Sequence, residues 1–208
     1  MLTQMLAKRL SKYLEIGERY VPESANLECL EGEHLSNYIF ASQYVKGSSL
    51  DIGCGYGYGL TLLSEKVDLV TGIDLSRNAV TKAKLLFHVD NIEYCVMAGE
   101  NLAIKSEALD AITLIETLEH VQKHDKMLKE IYKCLKTGGI CFITTPNRLA
   151  KGSLSRKGMY HKREFLPHEL YLLLRRTGFS AIILFGKVSL KKTIPRISVF
   201  ESLVSCLL

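Results

Sequence analysis

Residues 50–59 read Leu-Asp-Ile-Gly-Cys-Gly-Tyr-Gly-Tyr-Gly, and residues 69–74 read Leu-Val-Thr-Gly-Ile-Asp. The first stretch is a short apolar strand that runs through an acid, Asp51, into a glycine-rich turn. The second is a strand that ends on another acid, Asp74. A dinucleotide fingerprint needs a third glycine three places after the second. That place is Tyr58 counted from Gly53 and Gly55, and Leu60 counted from Gly55 and Gly57, so the pattern is absent. Glycine at 53 and 55 tolerates φ > 0 and lets backbone approach a ligand with no Cβ in the way. Asp74 stands nineteen residues past Gly55, where a carboxylate accepts from both hydroxyls of a ribose. A purely structural strand-turn-helix in some other α/β domain is the competing reading.

Outward from this stretch, strand and helix patterns alternate, which predicts an α/β fold with a doubly wound, mostly parallel sheet covered on both faces. The expected strands are 49–53, 69–73, 92–96, 109–115, 139–145 and 180–185. Ala79, Val80, Ala83, Leu86 and Phe87 form a helical stripe behind a Ser76 cap, and Met127, Leu128, Ile131 and Leu135 form a second. Pro167 opens a further helix and Gly178 closes it. The 208 residues, 47% of them apolar, suit one domain with one core. We divide the chain into an N-terminal helical arm or lid, 1–40, and a ligand-binding domain, 41–208. Within the arm, Leu2, Leu6, Leu10 and Leu14 line one side of an amphipathic helix over 2–16 that ends before Pro22. That helix reads equally as a lid or as a packed arm.

The six cysteines (Cys29, Cys54, Cys95, Cys134, Cys141, Cys206) include no C-x-x-C pair, and Lys8, Arg9 and Lys12 interrupt the N-terminal apolar residues. Neither a disulfide framework nor a signal peptide is expected, and the predicted compartment is the cytoplasm. The net charge of +5 is unevenly spread: from Arg148 to Arg196 there are twelve Lys or Arg against Glu164 and Glu169, a balance of +10 that leaves the remainder at −5. An acidic acceptor or an anionic surface would suit the basic stretch, as would an ordinary solvated face.

The acid, the glycines at 53, 55 and 57 and the second acid resemble the first motifs of class I S-adenosylmethionine-dependent methyltransferases. The similarity runs from about Gly17 to Leu170, and implies the Rossmann-like fold of that class and S-adenosyl-L-methionine as cofactor. By this resemblance Asp51 holds the cofactor's ammonium, directly or through water. Gly53, Cys54 and Gly55 carry the methionine part, Asp74 and Leu75 the ribose side, and Glu116 also faces the cofactor. Met97-Ala-Gly-Glu-Asn-Leu102 matches the segment that holds the adenine edge. Ala98 stands where an Asp is usual, so recognition falls to backbone at Gly99 and to apolar packing. Lys136-Thr-Gly-Gly139 looks like the family's Lys-Pro-Gly-Gly turn, and Thr145-Pro146-Asn147 ends the strand as in many small-molecule and glycan members. Gly17-Glu-Arg-Tyr-Val-Pro22, Glu33-His34 and His161-Lys-Arg-Glu-Phe165 are most similar to methyltransferases associated with surface-glycan biosynthesis.

A second constellation, Glu116-Thr-Leu-Glu119-His120, follows the fourth strand. If helical, residues at i, i+3 and i+4 share one face at the carboxyl end of the sheet. The same Glu-x-x-Glu-His spacing occurs in quinone-biosynthesis O-methyltransferases and small-RNA 2′-O-methyltransferases, where it binds a divalent metal, and His161 resembles the additional histidine of the RNA enzymes. The implied ligand set is Glu116, Glu119, His120 and His161, suited to Mg²⁺ or Mn²⁺, with Zn²⁺ also accommodated. The metal-free reading has the glutamates complementing a helix N-terminus and His120 acting as packing residue or base. Candidate bases are His120 and His161, then Glu119. Tyr56 and Tyr58 flank the loop and read as pocket lining or as packing.

Three function classes follow. The leading one is an enzyme that methylates a small or carrier-linked, glycan-type acceptor, in all expectation at oxygen. The second is a metal-dependent RNA 2′-O-methyltransferase, with Tyr160, Phe165, Tyr171, Phe179 and Phe185 as the aromatics available for stacking. The third is a non-catalytic cofactor-binding module. At the C-terminus a seventh, antiparallel strand is expected over about Lys192 to Phe200, confined to an edge or interrupted by Pro195. Ile197, Phe200, Leu203, Val204, Leu207 and Leu208 recur at helical spacing, a stripe for core packing, a partner subunit or peripheral contact with an anionic membrane.

Overall fold

The computed structural model describes residues 27–148, 161–189 and 198–207. In chain order the elements are α1 (Leu27–Ala41), β1 (Ser48–Ile52), α2 (Leu60–Leu63), β2 (Leu69–Asp74), α3 (Arg77–Leu86) and β3 (Ile92–Val96). Then come β4 (Leu109–Ile115), a 3-10 turn (Leu118–His120), α4 (His124–Cys134), β5 (Leu135–Thr145), α5 (Pro167–Thr177), β6 (Ala181–Ser189) and β7 (Ser198–Leu207). The strands form one sheet in the order β3-β2-β1-β4-β5-β7-β6. The first five are parallel, and β7 runs antiparallel to both β5 and β6.

The apolar content of each strand tracks its position. Central β4 is buried along nearly its whole length, whereas edge strand β3 exposes Glu93, Cys95 and Val96 and buries Ile92 and Tyr94. This is the signature of strands covered on both faces giving way to a half-covered edge. One core lies beneath α1, α2 and α3, where Tyr38, Leu60, Leu63, Ala79, Val80 and Ala83 pack. The other lies beneath α4 and α5, around Met127, Leu128, Ile131, Leu170 and Leu174. The helix signals operate as expected: the Ser76 hydroxyl accepts from Ala79 N–H at 3.2 Å, Pro167 opens α5, and Gly178 ends it at φ +122°. Residues 136–139 form an irregularity in β5, since Leu135 pairs with Leu109 and Ile140 already pairs with Ala111.

Two expectations change. The closing residues form a strand and no helix, so the helical stripe, and the membrane contact built on it, give way to pairing on both sides. Ile143 faces Val204 in the register, and Leu184 faces Val204 from the other side. Alternate Val and Leu serve a strand as well as a helix, and two neighbouring strands with open edges decide for the strand. The seventh strand is interior, between β5 and β6, where an edge position was expected; Lys192 to Pro195 lie outside the described residues, as does the expected helix over 2–16. Helix α1 crosses the division drawn after residue 40, and Tyr38 from its last turns is buried in the sheet domain's core. Among the described residues no helix is long and apolar enough to cross a membrane, and Cys54, Cys95, Cys134 and Cys141 are free thiols.

Candidate active site

Strand order reverses at β1, which lies between β2 and β4, and the carboxyl ends of these strands open into a cavity of about 440 Å³. This switch point is where open α/β sheets bind ligands. At one end of the cavity the N–H groups of Gly53 and Cys54 both donate to Ile73 carbonyl oxygen, at 2.8 and 3.0 Å, tying the glycine loop to β2. Asp74 does the same work from its side chain: Oδ2 accepts from Gly55 N–H at 3.1 Å and Oδ1 from Ser76 N–H at 2.8 Å. Gly53, Gly55 and Gly57 all have positive φ, but the space around them differs. A Cβ on Gly57 would meet the Tyr94 ring at 2.8 Å, and one on Gly53 would collide with Thr117, whereas one on Gly55 would meet nothing within 4 Å. Gly57 and Gly53 are therefore glycine for packing, and Gly55 borders open cavity, a cradle that a side chain would fill.

Cys54, Asp74, Leu75 and Gly99 line the cavity with Gly53 and Gly55, and Met97 and Glu100 join them from the segment after β3. Gly99 has no room for a side chain, since a Cβ would meet Ile52 at 2.8 Å and collide with Met127. Ala98 lies outside the lining, its carbonyl accepting from Asn101 N–H at 3.1 Å. Asp51 departs further from expectation. It is 0% exposed, and its two oxygens accept from Thr113 Oγ1 at 2.6 Å and Tyr38 hydroxyl at 3.0 Å. It stands outside the cavity lining, and these two bonds brace β1 against β4 and α1. Burial raises its pKa to about 6 against the opposing effect of the two hydroxyl bonds.

The other end is built on residues 116–121. Glu116, Thr117, His120, Val121 and Gln122 line the cavity there with Lys162. Residues 116, 119 and 120 do not share a helical face. Glu116 takes a left-handed conformation, φ +48°, its N–H donating to both the carbonyl (3.1 Å) and hydroxyl (3.0 Å) of Thr144. Non-glycine residues held this way cost about 1–3 kcal/mol and gather at functional sites. The kink turns Glu119 inward, 1% exposed, with Thr145 Oγ1 donating to its Oε2 at 3.1 Å. Burial, then the neighbouring Glu116 charge, push the Glu119 carboxyl well above the usual carboxylate range.

His120 faces the cavity, and its ring meets His161 edge-on, centroids 5.1 Å apart. His161 is not part of the lining. Its Nδ1 lies 2.8 Å from Oε1 of Glu164, a buried carboxylate that fixes the ring's orientation. Donor atoms of Glu119, His120 and His161 lie within 4.8 Å of one another, a spacing that fits one ion. Glu116 falls outside this group, which corrects the four-residue ligand set. Tyr38, Thr117, Gln122, Met127, Glu164 and Lys162 also enter the site or its support. Of these Thr117, Lys162 and Glu164 sat inside motifs already singled out and Met127 in a helical stripe read as core; Gln122 lies two residues past His120, and Tyr38 arrives from a distant element that no local pattern connects.

A family model described as "Methyltransferase domain" matches residues 50–143, from β1 through most of β5. A probable S-adenosylmethionine-dependent methyltransferase of Mycolicibacterium smegmatis is 26% identical over 166 residues, 78% of this chain and 64% of that protein. A ubiquinone biosynthesis O-methyltransferase of Idiomarina loihiensis is 38% identical over 149 residues, 64% of this chain and 60% of that protein. The chain thus spans about two thirds or less of the length of these curated relatives. Among solved structures, an S-adenosylmethionine-dependent methyltransferase from Mesorhizobium loti superposes with a TM-score of 0.70 at 20% identity, covering 86% of this chain and all of that one. The matched domain begins at the strand that leads into the open glycine cradle and ends beyond the kinked turn, and by that match residues 50–143 are a methyltransferase domain, similar to those of S-adenosylmethionine-dependent methyltransferases.

Proposed function

We propose that the chain transfers a methyl group from S-adenosylmethionine to a hydroxyl oxygen of a small or carrier-linked acceptor. The observation that carries this reading is one cavity with the open Gly55 cradle and Asp74 at one end and His120 at the other. S-adenosylmethionine, when bound, supplies a methyl group on a sulfonium, so no enzyme nucleophile is needed. Residues Gly53 to Gly55 give it backbone access, Asp74 lines the ribose side, and Ile52, Met97, Ile115 and Met127 present an apolar wall that excludes water. His120 receives the proton of the acceptor hydroxyl, the acid–base step that an oxygen acceptor requires. Glu164 orients His161, which packs against His120. The O-methyltransferase relatives support oxygen as the acceptor atom.

A metal-assisted version draws on the Glu119, His120 and His161 group. Mg²⁺ or Mn²⁺ held there would lower the pKa of an acceptor hydroxyl. Glu164 would then be the carboxylate that orients a metal-bound histidine, a common supporting arrangement. RNA is the weaker acceptor reading: Phe165 and Phe179 are buried, which leaves Tyr171 and Phe185 as the exposed described aromatics of the basic half. The test is methyl transfer from isotopically labelled S-adenosylmethionine to panels of phenols, sugars and RNA, with and without chelator. Label on an oxygen of a small acceptor supports the proposal. Cofactor binding without turnover of any acceptor favours a non-catalytic module.

A further inference from the structure

Asp51 is a buried carboxylate whose described surroundings hold no cation. Thr113 and Tyr38 donate hydrogen bonds to it, and the other group that acts on its charge, Asp74, repels it. It takes part in no described ion pair. Buried charges are paired as a rule, because the water they lose is costly to replace. Of its two hydroxyl partners, Thr113 lies within β4 and outside the cavity lining, whereas Tyr38 lines the cavity. Cys54 and Tyr58 stand close enough to the Tyr38 hydroxyl to act on its charge, and both line the cavity at its glycine-loop end.

Tyr38 is held there by its surroundings. Its ring meets Tyr58 edge-on, centroids 5.6 Å apart. Gly59 has an ordinary helical φ of −65°, so its backbone does not call for glycine, but a Cβ there would collide with the Tyr38 ring. The missing side chain at 59 makes the slot the ring occupies. One residue earlier on α1, the Asn37 amide donates to the Thr144 hydroxyl at 3.5 Å and ties the helix to β5. A phenol has one proton to give, and Tyr38 gives it to Asp51; its lone pairs accept no hydrogen bond from a described residue.

We infer that the Tyr38 hydroxyl binds the ammonium of the S-adenosyl ligand, accepting from it while donating to Asp51, so that the buried anion and the ligand's cation are paired through one hydroxyl. The inference rests on the methyltransferase reading and gives the ligand's amino group its partner within that site. A hydroxyl that donates to a carboxylate is a better acceptor than an isolated one, because the two bonds polarise each other. A sulfonium has no N–H to offer, so the ammonium is the ligand cation that can use those lone pairs.

The test is a calorimetric cycle with S-adenosylhomocysteine, which keeps the ammonium and lacks the sulfonium charge, and its deamino analogue, in which hydrogen replaces the amino group. The wild-type protein should bind S-adenosylhomocysteine about tenfold tighter than the analogue, the discrimination one hydrogen bond to a charged group provides. Tyr38→Phe should bring the two toward parity by weakening the amino ligand and leaving the analogue nearly unchanged. Asp51→Asn, which keeps the hydroxyl and removes the charge behind it, should shrink the same ratio. A melting curve of each variant separates a folding defect from a lost contact, and if Tyr38→Phe does not fold, Asp51→Asn carries the comparison alone. Equal binding of the two ligands by wild type, a ratio that survives in the folded variants, or an equal loss of both ligands overturns the inference while leaving cofactor binding intact. A loss seen with S-adenosylmethionine but not with S-adenosylhomocysteine would put the sulfonium at Tyr38 and overturn it too. Failure of the wild-type protein to bind S-adenosylhomocysteine overturns the methyltransferase reading itself.

Discussion

At the glycine-loop end the cavity is held by elements that are neighbours in sequence, and at the histidine end by elements that are distant in sequence. Gly53, Cys54, Gly55 and Ser76 are tied by their N–H groups to Ile73 and Asp74, on neighbouring elements. The turn carrying Glu116 to His120 is held instead by Thr144, Thr145 and the N–H groups of Lys162 and Arg163, which come from β5 and beyond. A loop shaped by backbone accepts only residues with the right φ and no Cβ. A turn held from distant elements can be re-tuned by changing those elements, the loop that carries Lys162 and Arg163 among them.

The sharpest way to break that contrast is at the glycines. Gly57→Val places a branched side chain at φ +80° against Tyr94 and Ala83, and should cost about 4 kcal/mol of stability from left-handed strain plus overpacking. Gly138→Ala, at φ +78° with open space around it, should cost only about 1 kcal/mol. Chemical denaturation measures both; equal costs would show that the loop is not packed as described.

Asp51 tests how the loop is braced from behind. Its pKa is raised from 3.8 to about 6, so the folded state binds the proton more tightly than the unfolded chain. Asp51 therefore withdraws stability as pH rises from about 4 to about 6, up to about 3 kcal/mol, and nothing further above that. Denaturation midpoints of wild type and Asp51→Asn, compared between pH 4.5 and 7.5, should diverge in favour of the variant as pH rises. Parallel curves would remove Asp51 from the account.

At the histidine end the expected losses are catalytic. His120→Gln should lower kcat about a hundredfold or more with S-adenosylhomocysteine affinity nearly unchanged. Glu164→Gln, which only loosens His161, should lower kcat about tenfold and shift the pH–rate profile. If either change destabilises the fold as Gly57→Val does, that end is scaffold.

The difference between the ends also explains what the sequence disclosed. Glycine spacing, the strand-terminal acid at Asp74 and the caps at Ser76 and Pro167 act on their own neighbours, so the first four parallel strands were legible to within a residue, while β5 starts at Leu135, four residues before the expected 139, and takes Leu135 from the helical stripe. The hydroxyl partners of Asp51 were hidden because a strand-end acid looks alike whatever it faces, and Tyr38 sits thirteen residues away on another element. The helical reading of Glu116 to His120 failed because the kink is imposed by Thr144, twenty-eight residues on. The C-terminal stripe failed for a related reason: ten residues with mixed Val and Leu periodicity take the conformation their neighbours leave open.

The central claim is that the open cradle at Gly55 binds the S-adenosyl ligand. Calorimetry with S-adenosylhomocysteine on wild type, Gly55→Ala and Asp74→Ala, each with a melting curve, tests it most directly. Wild type should bind one equivalent in the micromolar range. Gly55→Ala should fold with a loss of about 1–2 kcal/mol yet lose most of its affinity, because its methyl group enters space only the ligand would occupy. Asp74→Ala should lose affinity as well. Undiminished binding by Gly55→Ala, or binding of NAD in place of S-adenosylhomocysteine by the wild-type chain, would contradict the account.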